Sequence, residues 1–396
     1  MDKAEKDRIR AKCVDFFKKH PTYFWHQLSK HHPLTEEQLS RFGDRLNWNL
    51  VSYNKAITWT ESLMVRFRDE LNWGELSVNP TAFKDIRLLE VFENDIDWLG
   101  DESSIDSIAN NEGLPWSLDF LKRYESRIDL HKLSSNTAFP WSEEIFEAYH
   151  DKLSFNELCF NEGVPWNLKM FEKYLTEYKS YAFYINRRMM QDIEIIEKYS
   201  EHIEWSFICS EPNLPWKEKN LLERWEEHID GWGIAQNEAL FDKDNIFFNE
   251  HLDKLTDDNY RLFKPLSSNE ALPWSIPFIE AYKRHWSWQR LSDNESLPWN
   301  LDLIEHFRDY WVWGCLYETS LEDVNGFEIS PTGGEARQSG LTTNEALPWS
   351  IELINKYSYR IDFELLKSNC SVWDKAFKPH VDDALISEIF NFLSHT

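Results

Sequence analysis

The stretch Asn136-Thr-Ala-Phe-Pro-Trp141-Ser142-Glu-Glu-Ile-Phe-Glu-Ala-Tyr149 carries the signals that start a helix. Ser142 is a favourable N-cap, and the two glutamates after it suit the positive end of a helix dipole. Apolar residues then recur at helical spacing as far as Tyr149. The stretch therefore predicts a helix of about three turns that begins just after Ser142.

The same phrase returns along the chain, each time with an Asn five residues before the position that Trp141 fills. We call that position the anchor. Glu211 holds the Asn position once, and the spacings run 25, 32, 25, 25, 25, 25, 26, 32, 25, 50 and 25 residues. A fixed period of this kind indicates a repeat array. The Asn residues are Asn54, Asn79, Asn111, Asn136, Asn161, Asn186, Asn237, Asn269, Asn294, Asn344 and Asn369.

Each unit carries two further aromatic positions, eight and fourteen residues after the anchor, and the second leads a short helical segment such as Trp288–Ser292. Helix pairs of this size bury their aromatic stripe only by stacking. The predicted fold is all-α, an α-solenoid of about fourteen helix-loop-helix repeats of ~25 residues with one irregular Gly-rich insertion. We expect one continuous array over 1–396, with an N-terminal capping unit at 1–30 and C-terminal capping helices at 374–396. The basic start suits a cap exposed on its outer side.

The unit is similar in general terms to the helix-pair repeats of tetratricopeptide and armadillo arrays. Those families have longer periods and lack the Leu-Pro-Trp-Ser phrase. The resemblance therefore implies a stacked helical fold and no functional residue.

Three places depart from the period. Two units are seven residues longer, within 98–111 and 253–269, and we expect both additions in or beside the second helix. Residues 314–343 contain no signature, and four glycines lie within 326–340, which predicts a degenerate repeat with a Gly-rich hairpin or loop. One interpretation is a decayed repeat. The other is a partner-binding loop, and its candidate residues are Gly333, Gly334, Glu335 and an exposed Arg337.

Most of the 20 Trp residues lie at fixed repeat positions, which indicates packing. Trp225 and Trp232 lie out of register, and we expect these two to be exposed and available to a partner. The Cys residues Cys159 and Cys209 share the position of Ser134 and read as small buried residues.

The net charge of −26 disfavours direct binding of nucleic acid or an anionic membrane, and favours a protein partner with a basic surface. No signal peptide or membrane span is apparent, so we expect a cytoplasmic protein. His20, His26, His31 and His32, with Cys13, form no short ligand pair. We therefore expect neither metal nor cofactor, and no nucleotide-binding or catalytic motif is present.

These observations lead to three hypotheses. The first is a non-enzymatic scaffold or adaptor that binds a protein through an acidic concave surface. The second is an acidic inhibitor or immunity-type protein that sequesters a basic toxin or nucleic-acid-binding protein, with nucleic-acid mimicry as one means of doing so. The third is an enzyme sited at 314–343, where the chain offers Cys315, acidic residues and Arg337.

Overall fold

The computed structural model of the chain describes residues 2–100, 107–174, 189–241, 262–317 and 336–394. The fold is all-α, and in these ranges the only strands are two of three residues each. The chain divides into two compact units, Trp25–Glu204 and the combination of Met1–Phe24 with Trp205–Thr396. We call them the central unit and the terminal unit.

The helices are short and follow one another in pairs. In the first half they are α1 (Lys3–Lys19), α2 (Pro21–His31), α3 (Glu36–Phe42), α4 (Trp48–Tyr53), α5 (Glu61–Arg66), α6 (Trp73–Val78), α7 (Ile86–Val91), α8 (Leu118–Tyr124), α9 (Leu130–Leu133), α10 (Glu143–Tyr149), α11 (Phe155–Phe160) and α12 (Leu168–Tyr174). In the second half they are α13 (Ile193–Lys198), α14 (Trp205–Ser210), α15 (Leu221–Arg224), α16 (Gly231–Gln236), α17 (Phe263–Leu266), α18 (Ile276–Ala281), α19 (Trp288–Asp293), α20 (Leu301–His306), α21 (Ile351–Tyr357), α22 (Phe363–Leu366), α23 (Cys370–Val372) and α24 (Asp383–Ser394).

Side-chain caps explain where these helices begin. The hydroxyl of Ser142 accepts a hydrogen bond from the amide of Ile145. Ser117, Ser275 and Ser350 cap the first helix of their own repeats in the same way. The second helices are capped by Asn72, Ser154, Ser287 and Asp362, among others. Each cap satisfies an amide that has no partner inside the helix. The predicted helix start after Ser142 is confirmed.

The ten recurring Asn residues that lie in the described ranges are buried, and each joins its repeat to the one before it. In one such repeat, the side-chain amide of Asn136 donates to the carbonyl oxygens of Ala109 at 2.7 Å and Asn111 at 3.4 Å, while its Oδ1 accepts from the Ala138 amide at 2.9 Å. Since buried polar groups are costly to leave unpaired, this Asn ladder holds neighbouring repeats in register. The same donation to a preceding repeat is made by Asn54, Asn79, Asn111 and Asn161 in the central unit, and by Asn237, Asn269, Asn294, Asn344 and Asn369 in the terminal unit.

The anchor Trp explains the five-residue spacing. The indole Nε1 of Trp141 donates to the carbonyl of Asn136 at 2.8 Å, and the Asn161 side chain donates to the same carbonyl at 3.0 Å. One backbone oxygen thus ties together the loop of its own repeat and the next repeat. Equivalent indole bonds are made by Trp116, Trp216, Trp274, Trp299 and Trp349.

A second polar row uses the Ser position two residues before the Asn. Ser134 donates to the carbonyl of Leu130 at 3.0 Å and accepts from the Ser154 amide of the next repeat at 2.8 Å. Cys209 takes this place in its own repeat, where its Sγ accepts from the Asp230 amide at 3.3 Å. Burial raises the pKa of both Cys159 and Cys209 to about 11, so both thiols are protonated at neutral pH. The prediction that these are small buried residues is confirmed.

In the terminal unit, α1 packs against the C-terminal helices. The rings of Phe16 and Phe377 stack with centroids 5.1 Å apart. Lys12 pairs with Glu352 at 2.9 Å, and Lys18 pairs with Glu388 at 3.0 Å. The basic side chains that the sequence assigns to an exposed outer side therefore include at least two that contact carboxylates from the other end of the chain.

The Gly-rich stretch within 314–343 lies inside one repeat. Asn344 donates to the carbonyls of Ser292 at 2.9 Å and Asn294 at 3.4 Å, which is the contact one repeat makes with its immediate neighbour. The Leu341 amide donates to the carbonyl of Val312 at 2.9 Å, so the second helical segment of that repeat resumes after Trp313. Residues 314–338 therefore match the predicted irregular Gly-rich insertion and not a separate degenerate repeat.

The ends of this insertion form a strand pair, which agrees with the predicted hairpin. β1 (Cys315–Tyr317) and β2 (Ala336–Gln338) are antiparallel, with Cys315 opposite Gln338. Gly314 and Gly340, beside the strands, have φ angles of 87° and 157°. A Cβ on Gly340 would lie 2.4 Å from the Val312 oxygen, so only glycine fits.

The two seven-residue additions occupy different places. The first follows Trp98 inside the second helical segment, because the Ile108 amide still donates to the carbonyl of Asp97 at 3.2 Å. In the other lengthened repeat, the second helix α17 starts six residues before Asn269, just as α19 starts six residues before Asn294. That addition therefore precedes the second helix, and residues 242–261 lie outside the described ranges.

Candidate functional site

The predicted loop site falls only partly within the described residues. Gly333, Gly334 and Glu335 lie outside them, and Arg337 lies in β2 opposite Leu316. The strand pair is held to the repeat before it through Ser339. The Gln289 side-chain amide donates to the Ser339 carbonyl at 2.7 Å, and the Ser339 hydroxyl donates to Asp293 at 2.9 Å.

The prediction that Trp225 is exposed is wrong. Its exposed fraction is 4%, and its ring packs edge-on against Trp205, with centroids 5.3 Å apart, and against Trp216 at 5.9 Å. Asn220, with φ 48°, accommodates one extra residue before α15, which moves Trp225 into the first aromatic position of the repeat. The 26-residue spacing from Glu211 to Asn237 is the signal that identifies this shift.

Trp232 is half-buried on α16 and not fully exposed. The Arg290 guanidinium, from α19 two repeats later, lies 5.8 Å from its ring centre, within the range of a cation–π contact. Trp232 therefore contacts Arg290, whereas Trp225 is buried, and the two Trp residues do not form one exposed aromatic patch.

A row of exposed carboxylates lies beside the Asn ladder, and it is not among the site residues predicted from the sequence. Immediately after the ladder Asn stands an exposed glutamate in four successive repeats of the terminal unit. We call this row, Glu238, Glu270, Glu295 and Glu345, the loop edge. The repeated Asn-Glu dipeptide is its signal in the sequence, and the ladder places these loops side by side, since the Glu345 amide donates to the Glu295 carboxylate at 3.1 Å.

The loop edge and the exposed surface of the first helix of each repeat differ in whether their carboxylates form ion pairs. On those helices, cations of one repeat pair with carboxylates of the repeat before, as Lys169 does with Glu143 at 2.6 Å and Lys173 with Glu147 at 2.8 Å. Within the described ranges, no Lys or Arg forms an ion pair with Glu270, Glu295 or Glu345. The carboxylates of Glu270, Glu295 and Glu345 therefore keep their negative charge without an ion-pair partner in the described ranges.

The histidine-rich start does not show metal-site geometry. His20 stacks on Phe363 with centroids 4.2 Å apart, and burial lowers its pKa. Cys13 is buried, which raises its pKa to about 12. Across the part of the chain that the structure describes, no three His, Cys, Asp or Glu side chains are grouped to hold a metal ion.

None of the described helices is long and apolar enough to cross a bilayer.

Comparison with known proteins gives no relative from which a function can be transferred. No protein-family model, no curated protein and no solved structure matches this chain.

Proposed function

We propose that this protein is a non-enzymatic scaffold or adaptor that binds a protein with a basic surface through the loop edge. The observation that supports this most is the row of exposed glutamates, of which Glu270, Glu295 and Glu345 have no ion-pair partner in the described ranges. Charge complementarity of this kind speeds and orients the capture of an oppositely charged partner.

The scaffold part of the proposal is supported by the inter-repeat bonds. The Asn ladder, the indole bonds and the Ser row hold the loops at set positions, so little conformational entropy is lost when a partner contacts them. The net charge of −26 adds a long-range attraction for a basic protein.

We further propose that the repeats continue as one α-solenoid over 1–396. The repeated pair of short helices and the common ladder in both units support it. Because 314–343 is an insertion, the predicted count of about fourteen repeats falls to about thirteen.

The proposal is tested with a triple charge reversal, Glu270→Lys, Glu295→Lys and Glu345→Lys. The control reverses three exposed glutamates elsewhere, Glu144→Lys, Glu194→Lys and Glu218→Lys, and so has the same net charge. Wild-type and control proteins, immobilised and exposed to an extract of the source cells, should retain the same basic proteins. The loop-edge variant should lose them.

Equal retention by all three proteins would refute the loop edge as the contact. Retention of small molecules alone would refute the scaffold hypothesis. If the retained protein is a nuclease or toxin whose activity stops on binding, the inhibitor hypothesis replaces it.

A further inference from the structure

The turns between the two helices of a repeat differ in charge and in aromatic content near the end of the chain. Three of them, residues 283–285, 308–310 and 358–360, read Lys-Arg-His, Arg-Asp-Tyr and Ser-Tyr-Arg. We call them the turn edge. It holds four Lys or Arg against one carboxylate, Asp309. The seven corresponding turns that precede it and lie in the described ranges are mainly acidic and contain no Tyr, Phe or Trp. They are 43–45, 68–70, 93–95, 125–127, 150–152, 200–202 and 226–228.

The three turns form one continuous surface. They belong to directly adjacent repeats, because Asn294 donates to the carbonyl of Asn269 and Asn344 to that of Asn294. Lys283 Nζ lies 4.4 Å from the ring centre of Tyr310. Arg360 donates to the carbonyl of Arg308 and pairs with Asp309 at 3.4 Å.

This surface exposes two tyrosines. Tyr359 is 75% exposed and Tyr310 is 44% exposed, although most of the other aromatic residues in the described ranges are buried. Arg284 is exposed and has no ion pair within the described residues. Tyr and Arg are the residues most enriched at the energetic centres of protein interfaces, because each combines a large contact area with a directed hydrogen bond.

We infer that the turn edge is a docking surface for a carboxylate-rich segment of another protein. Guanidinium groups bind carboxylates through paired hydrogen bonds, and exposed Tyr rings supply packing and a hydroxyl donor. These turns hold four cations and one carboxylate, Asp309, and Glu280 just before them pairs with Lys283 at 3.2 Å, so the edge keeps a surplus of positive charge in a chain of net charge −26. The loop edge plays no part in this inference, which therefore stands whether or not that edge binds a partner.

The occupant is assigned by charge complementarity. A second copy of the chain would bring another −26, and the repulsion between the copies opposes that association. Nucleic acid meets the same repulsion along its phosphates. A short acidic segment carries far less charge and meets the positive turns locally.

The test measures binding of a fluorescein-labelled polyglutamate peptide of about a dozen residues by fluorescence anisotropy, at about 50 mM salt, where surface charges are weakly screened. The variants are Arg284→Glu with Arg308→Glu, and Tyr310→Ala with Tyr359→Ala. The control is Lys217→Glu with Lys219→Glu, which has the same net charge as the arginine pair and reverses exposed cations elsewhere.

We expect the arginine variant to weaken binding about tenfold or more, and the control to change it less than about twofold. The tyrosine variant should weaken binding severalfold at unchanged charge. Circular dichroism confirms that each variant is folded. No binding by the wild type, or equal weakening by the arginine variant and the control, would overturn the inference. Tighter binding of oligo-dT, or self-association abolished by the arginine variant, would overturn it in favour of nucleic acid or a second copy.

Discussion

At the scale of single residues, the ladder position requires a short side chain that carries both a hydrogen-bond donor and an acceptor. Asn136 donates backward to Ala109 and accepts forward from Ala138, so one side chain serves two repeats. A carboxylate has no N–H to donate. Glu211, which holds this position once, accepts from the Asn213 amide at 3.0 Å, and its carbonyl still receives Trp216 and Asn237.

Replacing Asn136 by Ala should lower the free energy of unfolding by about 2–4 kcal/mol, because buried groups of two repeats lose their partners. The Ala109 carbonyl and the Ala138 and Phe139 amides are those groups. Urea denaturation followed by Trp fluorescence measures the change. Asn355→Ala, at an exposed position of α21, is the control and should change it by less than about 0.5 kcal/mol. Equal effects would contradict a structural ladder.

At the scale of the repeat element, insertions are tolerated inside the second helical segment. The segment resumes after the insertion through the bonds from Leu341 to Val312 and from Ile108 to Asp97. Long surface loops cost little extra closure entropy, so a repeat accommodates them without losing its neighbours.

Deleting residues 314–338 should therefore leave the fold intact. The deletion joins Trp313 to Ser339 and reduces the 50-residue spacing between Asn294 and Asn344 to 25. The midpoint of thermal unfolding should stay the same or rise, because a shorter connection costs less closure entropy while the ladder bonds of Asn344 remain. Circular dichroism on heating measures it. A loss of cooperative unfolding would show that the insertion is a structural part of the repeat after all.

At the scale of the whole molecule, the two ends of the chain belong to one unit, and titratable groups lie where α1 meets the C-terminal helices. Burial lowers the pKa of His20 and His380 below the ordinary value of 6.5. The pKa of Glu352 is lowered below 4.5, because the hydrogen bond from Lys12 and other contacts outweigh the opposing effect of burial.

Docking of α1 should weaken in two steps as the solution is acidified. Below pH 6.5 the unfolded state binds protons at the histidines more readily than the folded state does, so stability falls. The stabilisation from Glu352 is present above pH 4.5 and is lost as pH falls through the lower folded pKa. Hydrogen exchange of α1 amides, corrected for intrinsic rates, measures both steps.

Helix α7 is the internal reference for the first step, since neither His20 nor His380 lies in its unit and residues 33–130 contain no histidine. Its protection should stay constant between about pH 7.5 and 5.5, the interval in which histidines titrate. His20→Gln should reduce the first step for α1. If α1 protection does not change in this interval, the two histidines play no part in holding it.

The period, the all-α class, the helix start at Ser142, the buried Cys position and the core placement of most Trp residues are predictable from the sequence. These follow from local patterns, because caps and apolar spacing act within a few residues of each other. The same patterns identify the turn chemistry of the ladder Asn but not the bonds it makes 25 residues back.

Contacts between distant residues were needed to show that 314–338 lies within one repeat, that Trp225 is buried and that α1 docks on the C-terminal helices. The same holds for Glu270, Glu295 and Glu345 of the loop edge, which form no ion pair in the described ranges. A spacing of 50 is equally consistent with a lost repeat and with 25 inserted residues. The direct bond from Asn344 to Asn294 separates the two. Likewise, whether a carboxylate is paired depends on which cation the neighbouring repeat presents, and that is settled by contacts between residues far apart in the chain.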